Sequence, residues 1–256
     1  EAGAQSQLCA WQALDRPAQA ELRDARVALA WQPARAQLTA AGAACATLRV
    51  WDVRHERCAQ LLPLGLAEGH AACAVAASPH DALLIAGATD GSVRCVDPRL
   101  PSGRAEVAIL QASPSGAPIT SLSLQQASHA PWLAAASVRG DIHVFDPRAA
   151  ASGLDAAAAA RAGALHAVEG HRSGLSAIAL HAAAPLLASG SRNQLLKLFG
   201  LRALRAGGAA RETHTIRYFD GFLGARIGPV TCLAFHPTRM LLAVGATDSL
   251  LSIYGS

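Results

Sequence analysis

Histidine and cysteine are the residue types in this chain that could bind a metal ion or carry out proton-transfer or nucleophilic chemistry. The sequence has ten histidines and six cysteines, but no Cys-x-x-Cys pair and no recurring ligand spacing of the kind that holds zinc. It also lacks a Gly-x-Ser-x-Gly elbow, a phosphate-binding loop and a His-Glu-x-x-His motif. The sequence therefore predicts neither a metal site nor a cofactor. We expect the cysteines to be small buried residues in a reducing compartment.

Four histidines occupy comparable positions in the chain. His70 and His171 each follow a glycine at the start of a unit, whereas His181 and His236 each end an apolar run. A structural role is the favoured interpretation, because no acid, base and nucleophile recur together in one place. An enzyme whose site is assembled from distant loops is the alternative, since a fold does not determine function by itself. We predict that the chain is not an enzyme.

A repeated Asp-x-Arg sequence is the feature that could bind a partner. It contains the arginines Arg54, Arg99 and Arg148, which follow Asp52, Asp97 and Asp146. One interpretation is a docking box, because substrate receptors of cullin-RING ubiquitin ligases have a similar Trp-Asp-x-Arg sequence at the end of a blade. The favoured interpretation is that the aspartate fixes a turn and the arginine is solvated beside it.

Short strands must position these residues. Near the C-terminal end of the chain, three apolar runs are separated by His236-Pro237 and by Thr247-Asp248-Ser249. Alternation with a period of two, interrupted by Pro, Gly and Asp, is typical of antiparallel hairpins. The pattern occurs five times, and its end positions are 45, 49, 54 and 55 residues apart: Trp51, Val96, Phe145, Phe199 and Tyr254. A strand-built repeat of this length predicts an all-β propeller.

The second repeat resembles the WD-repeat family. That family has Gly-His at the start, a small residue in the middle strand, Asp-Gly in the turn and Trp-Asp at the end. This repeat has Gly69-His70, Ala86-Gly87, Asp90-Gly91 and Val96-Asp97. The family's His, Ser or Thr, Asp and Trp form a buried hydrogen-bonded chain, which Val96 would truncate here. The resemblance implies structural roles for His70, Asp90, Trp51, His171 and Asp248.

Five units follow from these repeats. They span about residues 15–62, 69–112, 117–168, 170–222 and 227–256, with an alanine-rich insert at 149–164. WD-repeat rings usually have seven blades, and the fifth unit has no fourth strand after Tyr254. An open sheet edge invites aggregation, so a ring is expected to close. We therefore expect the chain to be part of a seven-bladed WD-repeat propeller, with about two blades before Glu1.

The charge and hydropathy of the chain indicate which class of partner to expect: nucleic acid, membrane or protein. The formal net charge is +4, yet the basic residues are scattered arginines, and Lys197 is the only lysine. Nucleic-acid binding proteins usually cluster such charge, so nucleic acid is not the expected partner. No apolar segment reaches the length of about 18 residues that a membrane span requires. These patterns favour protein partners and a cytoplasmic location.

The C-terminal region resembles the Raptor family, the regulatory subunits of TOR complex 1. The similarity is strongest at Thr215–Phe222, Arg226–Pro237 and Asp248–Tyr254, and weaker similarity extends back to Trp31. It implies a non-catalytic scaffold that binds the subunits of a TOR kinase complex and takes part in regulating cell growth. It also implies that the parent complex could recruit the protein to the lysosomal or vacuolar surface.

The segment Arg217–Arg226 is the part of this region with the most aromatic residues. Tyr218 and Phe222 are candidate partner-binding residues, because exposed aromatic side chains often anchor protein interfaces. The alternative is that the aromatic side chains of this segment plug the blade.

Overall fold

The computed structural model describes residues 27–42, 45–78, 81–113, 115–125, 132–145, 164–168, 170–206, 208–216 and 228–255. Their strands form five antiparallel sheets, and consecutive strands within each sheet are neighbours. The fold is therefore the predicted all-β propeller architecture.

The strands of the first two sheets are β1 (Val27–Gln32), β2 (Gln37–Gly42), β3 (Thr47–Asp52), β4 (Arg57–Pro63), β5 (Ala72–Ala77), β6 (Leu84–Ala88), β7 (Ser92–Val96) and β8 (Glu106–Gln111). Those of the third and fourth sheets are β9 (Ile119–Leu124), β10 (Leu133–Ser137), β11 (Ile142–Phe145), β12 (Ala164–Val168), β13 (Leu175–Leu180), β14 (Leu186–Ser191), β15 (Leu196–Gly200) and β16 (Arg211–Ile216). The fifth sheet contains β17 (Val230–Phe235), β18 (Leu241–Ala246) and β19 (Leu251–Gly255). Short 3-10 turns occur at Pro33–Arg35, Ser102–Arg104 and Arg202–Ala206.

Each neighbouring pair of sheets shares a hydrophobic cluster. Leu48 and Leu62 of the first sheet pack with Leu84 of the second. Clusters of the same kind join the second sheet to the third through Phe145, the third to the fourth through Phe199, and the fourth to the fifth through Val230. The first strands of successive sheets also contact one another, from β1 through β5, β9 and β13 to β17. The sheets are thus arranged as the blades of an arc.

The two ends of this arc have apolar faces. Leu29 on β1 is 57% exposed, and Leu251 and Ile253 on β19 are 70% and 69% exposed. Cys232 on β17 is exposed as well, and Cys45, Cys58 and Cys73 are half-buried, so the expectation that the cysteines are buried is wrong for these four residues. For Cys232, the physical reason is that, within the described residues, no sheet packs on the outer face of β17–β19. Cys95, by contrast, is fully buried. Burial, and to a smaller extent the negative charge of the nearby Glu106, raises the pKa of its thiol to about 12.

Small polar side chains near the start of the inner strands tie each strand to its sheet. The donors are Cys73, Thr120, Ser176 and Thr231, and their acceptors are the carbonyl oxygens of Gly87, Ala136, Gly190 and Gly245, respectively. All four donors occupy positions where the register of the strand pair shifts. Such a bulge re-aims the side chain toward the next sheet.

Two of these donors also reach that neighbouring sheet. Cys73 Sγ lies 2.8 Å from the carbonyl oxygen of Ile119, and Ser176 Oγ lies 2.5 Å from the carbonyl oxygen of Val230. A single side chain therefore joins a strand of its own sheet to the first strand of the next one. This contact couples the sheets through hydrogen bonds in addition to apolar packing.

Replacing Ser176 by alanine is expected to lower the free energy of unfolding by about 1 kcal/mol, because two carbonyl groups lose a donor. The matched control is Cys73→Ser, which keeps a donor at the corresponding position and should not destabilise the protein. Urea denaturation measures both. Equal losses in the two variants would show that the hydrogen bonds at this position contribute little.

Candidate functional site

The third and fourth sheets meet along a seam of backbone. The turn between β10 and β11 contains Gly140, whose φ is +101°. The segment before β13 lies on this turn, and the amide of His171 donates to the carbonyl oxygen of Gly140 at 3.0 Å. A Cβ on Gly140 would lie 2.0 Å from the carbonyl oxygen of His171, and a Cβ on Gly170 would lie 2.1 Å from the carbonyl oxygen of Gly140. Only glycine permits this approach, which fixes the position of His171.

His171 is a buried histidine with one free ring nitrogen. The residue is only 9% exposed, and its Nε2 lies 2.7 Å from Ser189 Oγ. Nδ1 has no hydrogen-bond partner among the described residues. The His–Ser pair of the predicted WD chain is therefore present. Asn193 stands where the repeat register of the second sheet places Asp90, and Asn193 is exposed.

Lys197 and Glu212 form an ion pair beside His171. Lys197 lies on β15 and Glu212 on β16, and Nζ is 2.8 Å from Oε2. Glu212 also accepts a hydrogen bond from the Thr215 hydroxyl group. The hydrogen bond from Lys197, followed by that from Thr215, holds the pKa of Glu212 below its ordinary value. Glu212 is therefore ionised at neutral pH.

These side chains line a cleft of about 980 Å³ between the two sheets. The polar groups that line it include His143, His171, Arg172, Lys197, Glu212 and Asp141. Burial lowers the pKa of His143 below its ordinary value, although the charge of Asp141 opposes this. Burial and then the charge of Lys197 lower the pKa of His171 to about 4. At neutral pH, the cleft thus has charges of both signs and two neutral imidazoles, which suits the binding of a polar ligand.

Protonation of His171 is expected to destabilise the protein as the pH falls from about 6.5 toward 4. Histidine in an unfolded chain has a pKa of about 6.5. The pKa of about 4 in the folded protein means that the unfolded state binds more protons in this interval. Stability therefore decreases with decreasing pH, and we expect a loss of about 1 kcal/mol between pH 7 and pH 5 after allowance for solvent screening.

Urea denaturation at pH 7, 6 and 5 tests this expectation on the wild type and on His171→Gln. The variant should lose less stability over this range, because glutamine does not titrate. His143 remains in both proteins, so its contribution to the pH dependence cancels when the two stabilities are subtracted. The same pH dependence in the two proteins would contradict a buried neutral His171.

The second sheet contains a charge network at the position of the predicted WD chain. His70 Nδ1 lies 3.2 Å from Thr89 Oγ1, and Asp90 Oδ1 accepts from the amide of Ser92 at 2.9 Å and from its hydroxyl group at 2.6 Å. Burial alone would raise the pKa of Asp90, but the hydrogen bonds from Ser92 and the charge of Arg94 lower it. The predicted structural positions of His70 and Asp90 thus lie in one turn region.

Arg94 is a residue of this network that the repeat pattern did not identify. It is only 6% exposed, and its guanidinium group lies 2.5 Å from Glu106 Oε1 and 3.5 Å from Asp90 Oδ2. Glu106 Oε2 in turn accepts from the amide of Gly65 at 2.9 Å, which links the first sheet to the second. An arginine between Val93 and Cys95, inside strand β7, was the signal in the sequence that could have identified it.

Two of the three Asp-x-Arg sequences, Asp52–Arg54 and Asp97–Arg99, lie among the described residues, at turns where the third strands end. Asp52 Oδ1 accepts from the amide of Arg54 at 3.0 Å, and Asp97 Oδ1 accepts from the amide of Arg99 at the same distance. The guanidinium group of Arg99 also folds back on Asp97 at 2.7 Å. The hydrogen bonds of that side chain, although burial opposes them, hold the pKa of Asp97 below its ordinary value. Arg148 is outside the described residues.

The partner-binding roles of Arg54, Arg99 and Arg148 stay predictions, and so do those of Tyr218 and Phe222, which are outside the described residues. Among the remaining structural positions, Trp51 is half-buried near the end of β3. Asp248 Oδ1 accepts from the amide of Leu250 at 3.2 Å and is exposed, so it fixes a turn at the edge of the fifth sheet.

Polar residues at the ends of the inner strands also join neighbouring sheets, at three different sheet borders. Gln125 Nε2 donates to the carbonyl oxygens of His181 and Ala184 at 3.2 and 3.0 Å. His181 makes the same kind of contact with the fifth sheet, because its Nε2 lies 3.3 Å from the carbonyl oxygen of Arg239. Gln32 makes a corresponding bond to the carbonyl oxygen of Ser78 at 3.1 Å. The structural interpretation of His181 agrees with these contacts, whereas the sequence pattern did not indicate the two glutamines.

Metal sites and membrane spans are two further classes of feature that bear on function. Within the part of the chain that the structure describes, no group of three or more His, Cys, Asp or Glu side chains is arranged to hold a metal ion. No helix among those residues is long and apolar enough to cross a membrane.

The comparisons with known proteins agree with the fold. The WD domain, G-beta repeat family matches residues 62–97, 163–199 and 222–254. The structure is similar to the crystal structure of Chaetomium thermophilum Raptor, with a TM-score of 0.72 and 21% sequence identity over 90% of this chain and 19% of that one. At that identity, the likeness supports the fold alone.

The family is shown by a curated relative, and a more distant relative agrees with it. The chain is 33% identical over 232 residues to Regulatory-associated protein of TOR 1 of Arabidopsis thaliana, which covers 91% of this chain and 16% of the relative. It is 26% identical over 238 residues to Target of rapamycin complex 1 subunit mip1 of Schizosaccharomyces pombe, with 91% of this chain and 16% of the relative covered. The chain thus spans about one sixth of the length of these relatives. By its sequence, its repeats and its fold, the chain belongs to the Raptor family and forms a WD-repeat region of it.

Proposed function

We propose that this WD-repeat region is a non-catalytic scaffold within TOR complex 1, where it binds protein partners and contributes to the regulation of cell growth. The observation that carries the proposal is the 33% identity to a regulatory-associated protein of TOR over 91% of this chain. A second relative is named as a subunit of target of rapamycin complex 1. The propeller fold supports such a role because its loops are displayed on a rigid framework of sheets.

The geometry of the sheets suits binding rather than chemistry. The polar side chains described above join one sheet to the next or fix turns, and the cleft beside His171 is left as a contact surface. We propose a cytoplasmic protein that reaches a lysosomal or vacuolar surface only through its complex.

Affinity purification of the protein at its full natural length tests the proposal. We expect a TOR kinase among the recovered partners. Substituting Arg54, Arg99 and Arg148 together by alanine should leave the recovery of the kinase unchanged, since Arg54 and Arg99 lie on solvated turns. A receptor of a cullin-RING ubiquitin ligase would instead yield a ligase adaptor, and the triple substitution would abolish its recovery. Recovery of the adaptor without a TOR kinase would overturn the proposed function.

A further inference from the structure

The turns at one end of the sheets form a surface that crosses the sheet borders. In each sheet, consecutive strands are antiparallel neighbours, so the turns after the first and third strands lie at the same end, which we call the basic end. Its described residues lie in the turns 33–36, 53–56, 78, 81–83, 97–105, 181–185, 201–206, 208–210 and 236–240. Gln60 Nε2 donates to the carbonyl oxygen of Pro98 at 2.8 Å there, so this turn of the second sheet is held by the first sheet.

The basic end contains more positive charge than the opposite end. Among the described side chains, the turns of the basic end have six arginines and three acidic residues, whereas those of the opposite end have three arginines and four acidic residues. The six arginines are Arg35, Arg54, Arg99, Arg104, Arg202 and Arg239, and all are exposed. These arginines are dispersed along the sequence and form no basic run, but the fold brings their turns to one end.

Most of these arginines are not neutralised by a carboxylate. Arg99 is the exception, because it is paired with Asp97 at 2.7 Å. Among the described residues, no ion pair includes Arg35, Arg104, Arg202 or Arg239. The hydrogen bonds of Arg99, and to a smaller extent the charge of Arg35, lower the pKa of Asp97. Arg35 of the first sheet is therefore close to the turn of the second sheet that contains Arg99 and Arg104.

Apolar side chains are exposed in the same turns. Leu100 follows Arg99 and is 41% exposed, and Met240 follows Arg239 and is 47% exposed. Lys197, the only lysine of the chain, lies on β15 and not in these turns. Arginine and methionine are enriched in protein interfaces, and lysine is depleted there. The composition of the basic end is therefore that of a protein-binding surface.

We infer that the basic end binds an acidic segment of a protein partner, with carboxylates held by the unpaired arginines and apolar side chains in contact with Leu100 and Met240. This inference rests on the proposed scaffold function, because it names the class of partner segment that the scaffold recognises. The planar guanidinium group suits a carboxylate, since it donates two parallel hydrogen bonds to the two oxygens.

Nucleic acid and an anionic membrane fit this surface less well. Proteins that bind single-stranded nucleic acid stack bases on aromatic side chains, and no Phe, Tyr or Trp side chain is exposed among the described residues of these turns. Glu56 and Asp81 lie in the same set of turns and would repel a continuous row of phosphate groups. A protein segment can place its carboxylates at the arginines and uncharged residues opposite Glu56 and Asp81.

The probe is a fluorescein-labelled peptide of four Glu-Leu-Asp-Gly repeats with blocked ends, together with its Gln-Leu-Asn-Gly twin. Binding to the protein at full natural length is measured by fluorescence anisotropy. We expect the acidic peptide to bind, its affinity to fall with increasing salt, and the uncharged twin to bind about tenfold more weakly. Equal binding of the twin would overturn the inference on the wild-type protein, without any substitution. Tighter binding of a labelled oligodeoxynucleotide of equal charge, or of vesicles that contain phosphatidylserine, would overturn the choice of a protein partner.

Two triple variants of equal charge locate the surface. Arg104→Gln, Arg202→Gln and Arg239→Gln together should weaken binding of the acidic peptide about tenfold, because three exposed ion pairs are lost. These side chains are solvated, so the melting temperature should stay unchanged.

The matched control combines Arg139→Gln, Arg172→Gln and Arg192→Gln. It removes the same charge from exposed turns at the opposite end, and it should change the affinity by less than about twofold. Equal effects of the two triple variants would mean that the peptide responds to net charge alone, and the surface at the basic end would be refuted.

Recovery of a TOR kinase by affinity purification is measured on the same preparations. A recovered kinase without binding of the acidic peptide defeats this inference and leaves the proposed function. Peptide binding that depends on the basic end, without a recovered kinase, contradicts the proposed function and leaves the surface.

Discussion

Replacing Gly140 by alanine is expected to lower the free energy of unfolding by about 4 kcal/mol. Two causes act together. The backbone of Gly140 has φ of +101°, which alanine adopts only with strain. The new Cβ would also lie 2.0 Å from the carbonyl oxygen of His171, which is the backbone of the neighbouring sheet and cannot rotate away. Chemical denaturation of the variant and the wild type measures the loss.

Two further glycines separate the causes. Gly69 has φ of +83°, but an added Cβ there would have nothing within 4 Å, so Gly69→Ala should show the strain alone, about 1 kcal/mol. Gly170 does not have a positive φ, yet its Cβ would lie 2.1 Å from the carbonyl oxygen of Gly140, so Gly170→Ala should show the steric cost alone. If Gly140→Ala costs no more than Gly69→Ala, the close approach of the two sheets at this seam is refuted.

Replacing Arg94 by methionine is expected to cost about 3 kcal/mol. Methionine preserves most of the apolar volume of the side chain, but it leaves Glu106 and Asp90 without their cation. Their side chains are 19% and 25% exposed, so water compensates only part of this loss. Removing one partner of a buried ion pair is generally more costly than removing both.

The double variant Arg94→Met with Glu106→Gln tests that reasoning. It should recover roughly half of the loss, because the stranded carboxylate is gone and glutamine can still accept from the amide of Gly65. Denaturation of the wild type, both single variants and the double variant gives the coupling energy directly. A coupling energy near zero would mean that the pair of Arg94 and Glu106 does not stabilise the second sheet.

The sequence predicted the repeat and therefore the propeller, because alternation and turn residues are local signals. Asp90-Gly91 is an example: Gly91 has φ of +80°, as a tight turn between apolar runs requires. The His–Ser pair at His171 also followed from the family pattern, since Ser189 occupies the small-residue position before the middle-strand glycine. The family pattern did not predict Thr89 as the partner of His70, because Ala86 occupies that position in the second repeat.

The cleft could not be predicted in the same way. It depends on how closely two sheets approach, and the chain separates Asp141 of one wall from Lys197 and Glu212 of the other. The single lysine was visible in the sequence, but its partner was not, because the register of β15 and β16 decides which side chains meet. Contacts that carry a side chain into the next sheet, such as Gln125 with His181, have no local signal either.

The bonds and clusters that join each sheet to the next have a consequence for how separate substitutions combine. Among the described residues, these bonds and clusters couple adjacent sheets, as in repeat proteins whose stability is a sum of unit and nearest-neighbour terms. Arg94 acts in the second sheet and Ser176 at the border of the fourth and fifth sheets. Their energetic effects should therefore be additive within about 0.5 kcal/mol. Substitutions on the two sides of one seam, such as Gly140→Ala and Gly170→Ala, should not be additive. The first substitution already pushes the two segments apart, so the second acts on a backbone that has moved.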